Sequence, residues 1–144
     1  MEIQASLGVV RATGTVMGRG VFAARRIACG EVIEVCPVLQ IRSFNTRLMS
    51  ELHKVVFDWE ALAGVEGFSA IAFGYGSLYN HANPANARYR ATPDAAGLLI
   101  TAAADIEMAA EITINYNATA GEPQSADDIW FVATGVIPFE PEGS

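Results

Sequence analysis

The chain is cut into short pieces. Between glycines, prolines and Asn or Asp turns, apolar and β-branched residues run only briefly before the next break. A helix of several turns needs a longer uninterrupted stretch, so this punctuation selects many short strands over a helical bundle. Leu7 to Ala12 and Val21 to Ala24 read as strands. Glu31 to Ile41 (EVIEVCPVLQI) reads as one strand, or as two with a kink at Pro37, because proline cannot donate to a sheet ladder. Val55 to Trp59, Gly97 to Ala102 and Glu111 to Tyr116 are three more, and the last alternates cleanly as EITINY. Phe68 to Leu78, small and apolar, suits a short buried helix. Asn45 to His53 suits a helical turn capped by Asn45. The expected class is mostly β, a β-rich α+β fold, rather than an alternating βαβ fold.

With 144 residues, 51% hydrophobic and 17% charged, the chain suits one domain with one core. A single domain is expected over 1–139, with Asp128 to Phe139 docked through Trp130, Phe131, Ile137 and Phe139, and a frayed tail over 140–144. Cys29 and Cys36 are too few for a disulfide framework or a four-cysteine zinc site. His53 and His81 lack the spacing of a zinc-binding pair, so no metal site is expected. No apolar run is long enough to span a bilayer, and Met1 to Ser6 lacks the basic start and apolar centre of a secretory signal. The expected location is therefore intracellular: cytoplasmic, or nuclear in a eukaryotic or viral source. The net charge is −7, from 16 acidic and 9 basic residues, with Lys54 the one lysine. That balance disfavours nucleic acid; it would suit a cationic partner, and on charge alone it equally suits a surface that only keeps the protein soluble.

Three segments stand out. Gly18-Arg19-Gly20-Val21-Phe22-Ala23 has two glycines around one residue, which lets the backbone turn sharply and approach a ligand closely. The spacing also fits a dinucleotide-binding loop, but such a loop opens a long helix, and Gly30 and a strand pattern follow too soon. Alone it reads as a glycine turn before a strand. The second segment, Gly74 to Tyr89, packs Tyr75, Ser77, Tyr79, Asn80, His81, Asn83, Asn86 and Tyr89 into an otherwise apolar chain. Ser77 lies in G-Y-G-S-L, which is no nucleophile elbow. The third, Asp105 to Tyr116, is a turn leading into a strand that ends on tyrosine.

In this order the three segments resemble a SET domain, the fold of a large family of protein-lysine methyltransferases. Gly18 to Ala23 is similar to its G-x-G motif, Asn80-His81 followed by Asn86 to its N-H-S-x-x-P-N motif, and Asp105-Ile106 through Glu111 to Tyr116 to its D-I-x-x-G-E-E-L-T-x-x-Y motif. The resemblance runs from about Gly8 to Tyr116. It implies several small sheets with a C-terminal pseudoknot, S-adenosylmethionine as cofactor, and transfer of its methyl group to a protein lysine ε-amine. It implies that Gly18, Arg19 and Gly20 meet the cofactor's amino-acid and sulfonium end, that the Asn80 amide binds its α-amino or carboxylate group, and that the His81 backbone binds the adenine edge. Tyr116 matches the catalytic tyrosine, which also touches the cofactor. Tyr89 matches an aromatic lining the lysine channel, and Trp130 is the candidate to cover the adenine. The implied partner is a protein or peptide lysine, such as a histone-like basic tail, with no direct nucleic acid or membrane contact. Small members of this kind can form homodimers.

The departures are local. Ala82 replaces the motif serine, Pro84 falls one position early, and Ala109 and Ala110 replace the glycine and first glutamate. Ala109 is tolerable if the turn there needs no positive φ. The chain looks like a minimal, stand-alone member of the bacterial or viral kind. The rival readings are a SET-like binding module that has lost catalysis and, less well supported, a dinucleotide enzyme.

Overall fold

The computed structural model of the protein describes residues 1–43, 56–118 and 120–126. In chain order its elements are β1 (Gly8–Ala12), β2 (Arg19–Ala23), β3 (Val32–Arg42), β4 (Val56–Asp58), α1 (Trp59–Ala63), β5 (Phe68–Ala72), β6 (Asn80–His81), β7 (Ala87–Ala91), β8 (Gly97–Ala102) and β9 (Glu111–Ile114). They form two sheets, one ordered β1-β2-β9-β6 and one ordered β4-β5-β3-β8-β7. The mostly-β expectation holds. The expected turn at Asn45 to His53 and the expected docking of Asp128 to Phe139 lie outside the described residues.

The long strand is one strand, not two. Val32 to Pro37 of β3 pairs with β8, and Val38 to Arg42 pairs with β5. Pro37 falls where β3 changes partner, so its missing N–H interrupts neither ladder. Its carbonyl still accepts from Phe73 N at 3.0 Å. The core fills with the inward faces of both sheets, including Val21, Ile33, Leu98, Ile100, Ile112 and Ile114, and with Trp59 of α1.

Three local expectations need correction. Phe68 to Leu78 is not a helix: Phe68–Ala72 is strand β5, and the chain then turns. Its alanines and glycines carry weak local preference, and pairing with β3 on one side and β4 on the other decides its state. Val56–Asp58 ends its strand one residue before Trp59, because the Asp58 carboxylate accepts from Ala61 N and caps α1. Strand β7 has no counterpart among the expected strands: ARYRA alternates but contains no β-branched residue.

Ala109 sits at φ +72°, so the turn into β9 does require a left-handed residue. The turn is pinned by Ala109 N to the Ala23 carbonyl at 2.8 Å and by Ala110 N to the Glu107 carbonyl at 3.1 Å. A side chain there costs about 1 kcal/mol. Ala109→Gly is expected to raise stability by about that amount and Tm by roughly 3 °C, read by thermal melting. A lower Tm would show that the entropy gained by the unfolded chain outweighs the relief of strain.

Candidate functional site

The sheet β1-β2-β9-β6 assembles the three motifs. β2 carries Arg19 and Gly20, β6 carries Asn80 and His81, and β9 lies between them and runs on to Tyr116. The registers are Phe22↔Glu111, Asn80↔Thr113 and His81↔Ile114. One side chain ties all three together: Asn80 Nδ2 donates to the Arg19 carbonyl at 2.8 Å and to Glu111 Oε2 at 2.7 Å. Both amide protons are thus committed within the sheet, so the group Asn80 can offer a ligand is its Oδ1 acceptor.

Gly20 is the point of closest approach. A Cβ there would lie 2.2 Å from Glu111 Oε2 and 2.8 Å from Asn80 Nδ2. Any side chain would push both groups aside. Gly18, by contrast, sits exposed in the β1–β2 turn with nothing near its Cβ position, and its φ of +76° reverses the chain. Arg19 is exposed and meets the cluster through its carbonyl.

Sequence reasoning missed Glu111. It appeared as a strand position and as a letter of the third motif without a role at the site, and no local signal says that its carboxylate faces Gly20 and Asn80. Burial raises its pKa, and the hydrogen bond from Asn80 opposes that shift. Asn86 acts as a side-chain rung on β9: its Nδ2 donates to the Glu111 carbonyl at 2.8 Å, and its Oδ1 accepts from Thr113 N at 2.8 Å.

His81 is buried, and its Nδ1 accepts from Tyr116 N at 3.0 Å. An accepting Nδ1 carries no proton, so the neutral ring holds its hydrogen on Nε2. The two rings lie 5.4 Å apart. The Tyr116 hydroxyl donates to the Tyr79 carbonyl, immediately before β6. Burial pushes the Tyr116 phenol well above its ordinary range, and the charges of Glu111 and Tyr89 add to this.

Tyr89 meets the chain at Asn115, one residue before Tyr116. Its hydroxyl donates to the Asn115 carbonyl at 3.0 Å, and its ring meets Phe57 edge-on at 5.2 Å. Burial, then the carboxylates of Glu122 and Asp58, push its phenol up to about 12. Asn115 is 0% exposed and donates to Ser125 Oγ at 2.9 Å. Ala85 N donates to the Pro123 carbonyl at 2.7 Å and Tyr89 N to the Gly121 carbonyl at 3.1 Å, so the chain beyond β9 lies along residues 83–89. Trp130 lies outside the described residues.

Arg19, Gly20, Asn80, His81 and Tyr116 therefore converge, with Tyr89 linked through Asn115. The cluster offers two acceptors, Asn80 Oδ1 and the Glu111 carboxylate, beside a strand with no side chain at Gly20. The Tyr116 phenol lies against the His81 ring, and the Tyr89 hydroxyl is held on the Asn115 carbonyl. Among the described residues, no group of three or more His, Cys, Asp or Glu side chains could hold a metal ion. No helix of the described residues is long and apolar enough to cross a membrane.

Comparison with known proteins supplies the family. The SET domain family model matches residues 18–117. No curated protein matches the chain. Among solved structures, a candidate histone methyltransferase of Plasmodium falciparum is similar with a TM-score of 0.60 at 24% identity, over 80% of this chain and 96% of that one. The Chaetomium thermophilum polycomb repressive complex 2 is similar with a TM-score of 0.67 at 20% identity, over 80% of this chain. The autoinhibited form of that complex bound to S-adenosylmethionine has a TM-score of 0.66 at 22% identity over 83% of this chain. This chain spans 16% of the length of each of these two polycomb chains. The structural likenesses speak for the fold, and the match across residues 18–117 speaks for descent: the chain belongs to the SET domain family.

Proposed function

We propose that the protein is an S-adenosylmethionine-dependent methyltransferase acting on a lysine ε-amine of a protein or peptide. The observation that carries this reading is the crosslink by Asn80, which joins the G-x-G strand to Glu111 with Tyr116 one short strand away. The residues fit the cofactor. The Asn80 Oδ1 and Glu111 carboxylate acceptors suit an α-ammonium, and the missing side chain at Gly20 is what lets Asn80 and Glu111 sit against the G-x-G strand. A neighbouring fold in the comparison holds S-adenosylmethionine, which supports the assignment. When bound, S-adenosylmethionine supplies a methyl group activated by a sulfonium.

The chain's own residues then hold, orient and exclude. The Gly20 backbone would lie against the cofactor, with Asn80 and Glu111 taking its amino end. The Tyr116 hydroxyl is held by the Tyr79 carbonyl and stays a neutral donor throughout the ordinary pH range, because burial raises its pKa. Tyr89, fixed by the Asn115 carbonyl, would present an aromatic wall to the lysine stem. A closed, apolar channel would favour the neutral amine by desolvation. The net charge of −7 and the histone methyltransferases among the structural neighbours favour a basic, histone-like peptide as substrate.

The test is direct. The chain is incubated with S-adenosylmethionine and a lysine-rich histone-tail peptide, methylated lysine is read by mass spectrometry, and cofactor binding is read by calorimetry, with NAD as control. Binding of S-adenosylmethionine and lysine methylation are expected. Binding without turnover would favour the inactive-module reading, and binding of NAD alone would overturn the family-based cofactor.

Two further results are expected. Gly20→Ala should weaken S-adenosylmethionine binding by roughly 10- to 100-fold, since overpacking costs about 1–3 kcal/mol and falls on Asn80 and Glu111. Unchanged affinity in calorimetry would place the cofactor elsewhere. The pH profile should rise between roughly pH 7 and pH 9. The lysine amine, with a pKa near 10.4, is reactive only when neutral, so rate climbs as pH rises toward that value. The raised phenol of Tyr116 introduces no falling limb in that window. A flat profile would show that a step other than amine attack limits turnover.

A further inference from the structure

Behind the site lies a buried acid that the proposed reaction does not use. Glu34 is 2% exposed. It points inward because the β3–β8 pairing slips between Val32 and Glu34, so that two successive residues, Ile33 and Glu34, are both buried. Its Oε1 accepts from the Tyr79 hydroxyl at 2.7 Å and its Oε2 from Tyr75 N at 3.0 Å. Ser6 Oγ lies 2.8 Å from the same phenol, and because the Tyr79 proton goes to the carboxylate, Ser6 is the donor there. Tyr79 itself is fully buried. Its main-chain carbonyl, at the other end of the residue, receives the Tyr116 hydroxyl.

We propose that Glu34 is a positioning residue for Tyr116, acting through Tyr79. An apolar residue of the same size would fill this part of the core without the desolvation cost of a buried carboxylate. What the carboxylate adds is direction: it fixes the Tyr79 ring at its far end, and with it the peptide plane whose carbonyl aims the Tyr116 hydroxyl. The Glu34–Tyr79–Tyr116 chain crosses from the five-stranded sheet to the four-stranded one. It rests on the methyltransferase reading only in what the aimed hydroxyl is for.

The experiment uses Tyr79→Phe, which removes one hydroxyl and keeps the ring, and Glu34→Gln, which keeps shape but turns an amide donor toward the Tyr75 N–H or the phenol. Chains labelled at tyrosine 13Cζ carry four signals, one per tyrosine. Tyr116→Phe identifies the Tyr116 signal, and Tyr89, whose hydroxyl is held separately, serves as reference. In both variants the Tyr116 signal should move while that of Tyr89 stays. In parallel, kcat should fall roughly tenfold with the KM for S-adenosylmethionine within about twofold, and neither variant should lower kcat further in a Tyr116→Phe background. A Tyr116 signal unchanged in the folded Tyr79→Phe chain overturns the proposal, as does an equal loss of kcat in both backgrounds. A Tyr116 signal that moves in both variants, while the wild-type chain transfers no methyl group, would leave the linkage standing and sink the methyltransferase reading alone.

Discussion

Tyr116→Phe is expected to lower kcat by about 100-fold while changing the Kd for S-adenosylmethionine by less than about threefold. The substitution removes one oxygen and keeps the ring against His81. The hydrogen bond from Tyr116 N to His81 Nδ1 is a backbone bond and survives. What is lost is a hydroxyl held on the Tyr79 carbonyl and kept neutral by burial. Such a group acts on the reacting centre more than on the bound ground state, so the loss falls on kcat. Stopped-assay kinetics with calorimetry separates the two constants. Full activity in this variant would remove Tyr116 from the mechanism.

Gly121→Ala is expected to be the most damaging glycine-to-alanine change among the described residues. A Cβ at Gly121 would stand 1.7 Å from the Tyr89 carbonyl oxygen and 2.7 Å from its carbonyl carbon, and φ is +76°. The obstacle is backbone, which cannot swing away as a side chain can. The same residue accepts from Tyr89 N at 3.1 Å, so the clash breaks the bond that lays residues 121–125 along β7. A loss of about 3 kcal/mol and a Tm lower by roughly 10 °C are expected, with Tyr89 displaced and activity reduced. Gly30→Ala separates the causes. Its φ is +87°, but nothing lies within 4 Å of the added methyl, so it should cost only about 1 kcal/mol. Equal costs for the two would show that conformation, not contact, makes Gly121 a glycine.

The candidate site residues were legible as three motifs in a fixed order, G-x-G, Asn-His followed by Asn86, and a strand ending on tyrosine, which together resemble a SET domain. The strands β1, β2, β3, β8 and β9 were legible for a related reason: their β-branched runs and flanking turns carry local preference. Where local preference was weak, reading failed. Alanine-rich β5 looked helical, and β7, with arginine and tyrosine between alanines, left no mark. Both are strands because of the partners they meet.

Glu111 and Glu34 show the deeper limit. As letters they are two acids among the 16 acidic residues of the chain. One faces Gly20 and Asn80 across a sheet, and the other reaches Tyr79 from a strand bulge 45 residues earlier in the chain. The amino-acid order determined the mostly-β class and the strands with β-branched runs, and its three ordered motifs named Gly20, Asn80, His81 and Tyr116 as candidates, because local preference and motif order are carried by neighbouring residues. Which carboxylates turn inward, and what each holds, was settled when distant strands paired, because register and bulges assign side chains to faces and no single segment contains that information.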